Sequence, residues 1–159
     1  MLPHPKNCKM KEIFKYLMGV CLFLIAFSFQ AQILQTQEEI IETYGEPFHS
    51  GVTQNGEHFL FYKIPVTTKT SGTYDQRRIL FFKNFGDGSE VCYKFKIIEP
   101  SSETNYNISS FSNDLVQTAD SQWKDYSKGI VYEVKEVKGV CLITAEYDNE
   151  VGLVRVYKF

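Results

Sequence analysis

A short helix followed by an aromatic strand, within residues 36–64, constrains the fold of this chain most strongly. Thr36 and Glu39 have the spacing of a capping box, in which each side chain accepts a hydrogen bond from the backbone N–H of the other. The predicted helix carries one apolar stripe at one-turn spacing, formed by Ile40, Ile41 and Tyr44. Such a helix is too short to be stable alone, so its stripe must pack on another element.

The helix is predicted to end abruptly. Gly45 occupies the position of a left-handed C-terminal cap, and Pro47 prevents the helix from resuming. Segment 58–64 then combines aromatic and β-branched residues, which predicts a strand. We expect the apolar stripe of the helix to pack on this strand.

Further segments of the chain repeat this plan. A second helix is predicted at 110–126, where the apolar residues Phe111, Leu115, Ala119 and Trp123 recur at steps of four. Alternating or β-branched residues predict five more strands, at 78–85, 90–98, 130–137, 140–147 and 151–159. Residues 67–75, rich in Thr, Ser and Gly, predict a mobile loop.

These elements predict the fold class. We expect an α+β fold in which two short helices pack on one face of an antiparallel sheet of about six strands. Each half of the sequence gives a helix followed by three strands, a candidate tandem α-β-β-β repeat with half-repeats 36–98 and 109–159. Residues 32–159 have the length of one ordinary domain.

Residues 1–31 have the pattern of a secretory signal peptide. Several lysines precede an apolar run at 17–27, and Ala31 supplies the small residue that a signal peptidase requires before the cut. A membrane span needs roughly 20 apolar residues, which makes a retained anchor the weaker alternative. We expect cleavage after Ala31 and export of the chain to the periplasm, the cell envelope or the exterior.

One segment resembles a known family. The residues Ile40-Ile41-Glu42-Thr43-Tyr44-Gly45-Glu46-Pro47, with the strand Phe59-Leu60-Phe61-Tyr62, resemble the helix–Gly-x-Pro–strand signature of the SmpA-like outer-membrane-assembly lipoproteins. Two tandem units of that kind resemble the β-lactamase-inhibitor-protein fold. The resemblance implies a non-catalytic binding domain in the cell envelope or outside the cell.

The side chains that carry chemistry are sparse and scattered. His49 and His58 lack the spacing of a metal site, no serine lies in a Gly-x-Ser-x-Gly motif, and residues 86–88 indicate a hairpin turn. The chain is mildly acidic, which disfavours nucleic-acid binding. We therefore predict no enzyme activity, no catalytic residues, no metal and no cofactor. Residues 107–109 form a glycosylation sequon.

The cysteines that remain after signal cleavage are Cys92 and Cys141. Export favours a disulfide between them. Alternation places Cys92 on the same strand face as Lys94 and Lys96, whereas Cys141 shares its face with apolar residues. The two thiols would then lie on opposite sides of the sheet, so a pair of unbridged thiols is the competing interpretation.

Two functions fit these predictions. The first is an exported protein-interaction module that holds an envelope or extracellular protein through the aromatic outer face of the sheet or through the loop at 67–75. The alternative is a small apolar-ligand binder, or an undetected enzyme, with a cavity between helix 110–126 and the sheet.

Overall fold

Two helices lie on one face of a single antiparallel sheet in the computed structural model, which describes residues 32–86 and 88–148. The helices are α1 (Gln37–Tyr44) and α2 (Thr104–Asp114), and a 3-10 turn at Ser101–Glu103 leads into α2. The strands are β1 (His49–Val52), β2 (His58–Thr68), β3 (Gly72–Asn84), β4 (Glu90–Pro100), β5 (Val116–Ala119), β6 (Gln122–Asp125), β7 (Ile130–Val137) and β8 (Val140–Tyr147). They lie side by side in the order β1-β2-β3-β4-β8-β7-β6-β5.

The predicted α+β class, with one antiparallel sheet and two helices, is confirmed. The described sheet has eight strands: five of the six predicted ones, together with β1, β5 and β6, which were not recognised in the sequence. Each half contributes a helix followed by four strands, and the tandem repeat itself stays a prediction. The predicted signal peptide at 1–31 and the predicted strand at 151–159 lie outside the described residues.

Helix α1 begins and ends where the sequence predicted. Glu39 N–H donates to Thr36 Oγ1 at 3.3 Å, and Thr36 N–H donates to Glu39 Oε2 at 2.9 Å. Gly45 has a φ of 78°, which favours glycine, and its N–H donates to the carbonyl of Ile41 at 2.8 Å. The hydroxyl of Tyr62 in β2 donates to the carbonyl of Gly45 at 3.1 Å. This bond fixes the end of the helix on the predicted strand.

The core lies between the helices and the sheet. We call the covered side of the sheet the helix face and the opposite side the outer face. Ile40 of α1 is fully buried, and Phe111 of α2 packs on Tyr132 with ring centroids 5.0 Å apart. Six buried helix-face residues follow one another across the paired strands: Leu60, Leu80, Phe95, Ala145, Tyr132 and Trp123.

The second helix is shorter than predicted and begins earlier. The helix predicted at 110–126 is wrong beyond Asp114, because Leu115 is extended and residues 116–125 form the β5–β6 hairpin. Two β-branched residues in this hairpin, Val116 and Thr118, favour strand over helix. Apolar spacing alone therefore misassigned the segment.

Residues 67–75 do not form the predicted mobile loop. Strand β2 continues to Thr68 and β3 begins at Gly72, so only a short turn separates them. The hydroxyls of Thr67 and Thr73 face each other across the two strands at 2.9 Å. Cross-strand threonine pairs of this kind stabilise a ladder.

Candidate interaction surface

Four apolar side chains form a compact block on the outer face. Strands β2 and β3 place Phe59 opposite Phe81 and Phe61 opposite Ile79. Alternation keeps these residues on the outer face, because their neighbours Leu60 and Leu80 point into the core. We call Phe59, Phe61, Ile79 and Phe81 the outer-face block; each of them is half-buried.

Cations border this block on two sides. Lys63 and Arg77 lie directly opposite each other in the next row of the β2–β3 ladder. On the neighbouring strand β4, Lys94 pairs with Phe81 and Lys96 pairs with Ile79. We call Lys63, Arg77, Lys94 and Lys96 the basic frame. The outer face of β2–β4 is therefore apolar at its centre and positively charged at its border.

The edge strand β1 extends the aromatic surface. Phe48, which precedes β1, is 64% exposed and meets the ring of Phe61 edge-on, with centroids 5.7 Å apart. A Cβ on Gly51 would lie 3.2 Å from the ring of Phe59. Glycine at this position therefore lets the Phe59 ring lie close over the edge strand.

Most lysines of this surface lie over aromatic rings. The Lys63 ammonium is 3.7 Å from the Phe48 ring centroid, and that of Lys96 is 5.8 Å from the Phe81 ring. Within the basic frame, the carboxylate partner that the described residues supply is Glu146, whose Oε2 lies 3.0 Å from Lys94 Nζ. Cation–π contacts hold the lysines on the rings without neutralising their charge.

The helix face contains a contrasting set of polar residues at the end of the sheet below α2. We call Tyr74, Gln76, Arg78, Glu99 and Asn107 the polar cluster. Glu99 Oε1 accepts from the Tyr74 hydroxyl at 3.1 Å and from Gln76 Nε2 at 2.5 Å. Glu99 Oε2 accepts from Asn107 Nδ2 at 2.8 Å, so the sequon nitrogen is engaged inside the protein.

The residues of the polar cluster are linked by hydrogen bonds and carry opposite charges. Gln76 Oε1 accepts from Arg78 Nε at 2.5 Å, which links the guanidinium to Glu99 through one amide. Burial lowers the pKa of Arg78, while Tyr44 and Glu99 oppose that shift. Burial and the carboxylate of Glu99 raise the pKa of Tyr74. These groups satisfy one another, as buried polar groups must.

Packed rings line the interface between α2 and the sheet, where the alternative hypothesis placed a ligand cavity. Phe111 lies 5.9 Å from Trp123, centroid to centroid, and Trp123 Nε1 donates to Ser112 Oγ at 3.2 Å. A cleft of about 260 Å³ lies elsewhere, at the start of α1. Its lining is polar and consists of Thr36, Gln37, Glu38, Gly88, Ser89 and Glu90.

The two cysteines of the candidate disulfide are buried free thiols. Cys92 lies near the start of β4, whereas Cys141 lies opposite Glu99 near its end, roughly 20 Å away at about 3.3 Å per residue. A disulfide needs a Cα separation of about 4.4–6.8 Å. Burial raises the pKa of Cys92 to about 12 and also raises that of Cys141. Burial therefore favours the protonated, less nucleophilic form of both thiols.

The face predicted for Cys92 is wrong. The register shifts between Phe81 and Phe82, so that Phe82 pairs with Cys92 while Phe81 pairs with Lys94. Tyr93 is the extra residue of this bulge. The bulge turns Cys92 to the helix face, on the same side as Cys141, while Lys94 stays on the outer face.

His49 and His58 lie at the solvent-exposed β1–β2 edge. His49 contacts the Phe59 ring with centroids 5.8 Å apart. His58 Nδ1 lies 2.5 Å from Glu90 Oε2, and the two side chains are 48% and 37% exposed. Within residues 32–86 and 88–148, no cluster of His, Cys, Asp and Glu could hold a metal ion. Helices in the described part of the chain lack the length and apolar character needed to cross a membrane.

The sequence indicated the aromatic strand but not the basic frame. The chain has a net charge of −2, and this value gives no indication that several cations lie together on one face of the sheet. Their proximity depends on the β2–β3–β4 register. The alternation in β4 already indicated that Lys94 and Lys96 share one face. The sequence did not indicate that Lys63 and Arg77 face each other across β2 and β3.

Comparisons of the chain with protein-family models, with curated proteins and with solved structures find no match. The resemblance to the SmpA-like lipoproteins and to the β-lactamase-inhibitor-protein fold therefore stays a prediction.

Proposed function

We propose that this chain is a non-catalytic protein-interaction module, exported to the cell envelope or the exterior, and that its outer-face block with the basic frame binds the partner. The observation that carries this proposal is the 2 × 2 arrangement of Phe59, Phe61, Ile79 and Phe81, bordered by cations. Protein interfaces combine an aromatic centre with a polar, charged rim. Large aromatic side chains in such centres contribute most of the binding free energy.

The edge residues support the same proposal. Phe48 remains 64% exposed although it contacts Phe61, and it would gain burial when a partner covers the block. The proposed export rests on the predicted signal peptide at residues 1–31.

The test is quantitative capture of partners from the envelope fraction, using the full chain expressed with its own leader and a C-terminal tag. The variant Phe61→Ser/Phe81→Ser removes two rings of the block. The matched control is Tyr106→Ser, which removes a 66% exposed aromatic ring from α2. Circular dichroism and urea unfolding check that each variant is folded.

We expect one or more proteins that the unaltered chain and the Tyr106 variant capture equally, and that the double variant captures at least about tenfold less, since central aromatic residues each contribute about 2 kcal/mol or more. Capture that the folded double variant retains in full would overturn the proposal. Recovery of the tagged chain only from the cytoplasmic fraction would overturn its export.

A further inference from the structure

We infer that the partner binds through an extended acidic segment, in which one carboxylate side chain is followed by apolar side chains on the side that faces the sheet. This inference rests on the proposed function and names the chemistry of the partner. It is carried by the charge and spacing of the outer face.

The basic frame contains a pair of like charges that face each other across two strands. Lys63 and Arg77 are exposed and lie directly opposite each other in an antiparallel ladder. Like charges at such positions are destabilising. A carboxylate bound between these two residues would relieve the repulsion and form an ion pair with both.

The cations of the frame are largely unneutralised. The carboxylate that the described residues bring to the frame is Glu146, which pairs with Lys94, while Lys63 and Lys96 lie over rings. Asp75 occupies the next outer-face position of β3 beyond Arg77, opposite Pro65. Cations therefore predominate around the block, although the chain as a whole is acidic.

Asp75, Glu133 and Glu146 lie on the outer face, whereas a larger group of carboxylates lies on the other side of the sheet. Helix α1 and its C-terminal residues carry four glutamates, Glu38, Glu39, Glu42 and Glu46. The two buried glutamates, Glu99 and Glu103, also lie on the helix-covered side. An acidic partner approaching the chain would consequently be attracted to the basic frame and repelled from helix α1.

The spacing of the outer-face residues along β3 fits an extended peptide. Along β3, Arg77, Ile79 and Phe81 occupy successive outer-face positions, about 6.7 Å apart. An extended segment has the same repeat between alternate side chains, so one carboxylate over Arg77 places the next two facing side chains over Ile79 and Phe81. Lys96 and Lys94 lie beside Ile79 and Phe81 on β4, so a nucleic-acid strand, whose phosphates each carry a charge, is included in the test as a competing ligand.

The test measures fluorescence anisotropy of a short labelled peptide that presents one Asp and then two Phe at alternate positions on one side, against a matched peptide with Asn in place of Asp. The variant Lys63→Gln/Arg77→Gln removes the like-charge pair. The control Lys69→Gln/Lys138→Gln removes the same charge from exposed hairpin turns. Phosphatidylglycerol vesicles and single-stranded DNA serve as probes for the other anionic sources.

We expect the unaltered chain and the turn control to bind the Asp peptide equally and the frame variant to bind it about 3- to 30-fold more weakly, since two exposed ion pairs contribute up to about 1 kcal/mol each. Added salt should weaken this binding. Equal binding of the Asp and Asn peptides would overturn the inference, as would frame-dependent binding to vesicles or DNA but not to the peptide.

The capture experiment separates this inference from the proposed function. If the frame variant still captures the partner while the block variant Phe61→Ser/Phe81→Ser does not, the interaction module stands and the acidic segment is wrong. If the folded block variant captures the partner fully, the proposed function itself is wrong.

Discussion

The two faces of one sheet use their polar groups in opposite ways. On the helix face, the Glu99 carboxylate accepts three hydrogen bonds from residues of the polar cluster and is 7% exposed. On the outer face, Lys63 and Arg77 stand opposite each other in water. The polar groups of the helix face form hydrogen bonds with one another inside the fold, whereas the two cations of the outer face repel each other. This difference is the reason for proposing the outer face, rather than the helix face, as the binding surface.

The energetic consequences of a mutation should differ accordingly. Removing one member of a buried, mutually bonded set leaves the remaining members without partners and is strongly destabilising. Removing an exposed charge changes the free energy of unfolding by at most about 1 kcal/mol. Mutations on the helix face should therefore lower stability, whereas mutations on the outer face should weaken binding with little loss of stability. The predictions below are ordered by the size of the expected effect.

The largest effect is expected for two neighbouring phenylalanines on opposite faces of β3. Phe82→Ala should lower the free energy of unfolding by about 4 kcal/mol, because Phe82 is 1% exposed in the core. Phe81→Ala should lower it by only about 1 kcal/mol, because Phe81 is half-buried on the outer face. Urea unfolding measures both values. Equal losses of stability would show that the outer face is packed like a second core, and the stated difference between the two faces would then be wrong.

The second-largest effect on stability is expected for a charged residue of the helix face, compared with one of the outer face. Glu99→Ala should lower the free energy of unfolding by about 3 kcal/mol, because Tyr74, Gln76 and Asn107 lose their shared acceptor. Arg77→Gln should leave it unchanged or raise it by up to about 0.5 kcal/mol, because the repulsion of Lys63 is removed. A loss of more than 1 kcal/mol for Arg77→Gln, measured by urea unfolding, would mean that the basic frame stabilises the fold.

Local patterns predicted the parts of this fold that local chemistry determines. The capping box and the glycine stop defined α1, and strands β7 and β8 have the predicted bounds, 130–137 and 140–147. Helix α2 was misplaced because no side chain caps its N-terminus. The turn at Ser121, with a φ of 59°, interrupts the apolar spacing that suggested a longer helix.

Tertiary relations account for the rest. The bulge at Tyr93, next to Cys92 in β4, reverses the face of Cys92, and nothing in the alternation of β4 reveals where an extra residue is inserted. The opposite placement of Lys63 and Arg77 likewise depends on a short turn that the sequence suggested was a loop. The aromatic half of the candidate surface could therefore be predicted, and its basic half could not.

The smallest effect is expected for acid stability at Asp125, a buried helix-face carboxylate at the end of β6. Burial raises its pKa, but hydrogen bonds from Ser127 and Lys128 outweigh this effect and hold the pKa below its ordinary value of 3.8. The ionised form is thus favoured in the folded state. Its contribution to stability is fully present above the unfolded value and is lost as pH falls through the lower folded pKa.

Asp125→Asn keeps an oxygen acceptor but cannot ionise, so its stability should depend less on pH than that of the unaltered chain below pH 4. Thermal unfolding at a series of pH values measures this dependence, and the two curves should converge at the acid end. Ser127→Ala should give an intermediate slope, because it removes the hydroxyl donor at 2.5 Å and leaves the backbone donors in place. Parallel curves for the three proteins would mean that the helix-face carboxylate is not stabilised by these bonds, and the contrast between the two faces would then rest on Glu99 alone.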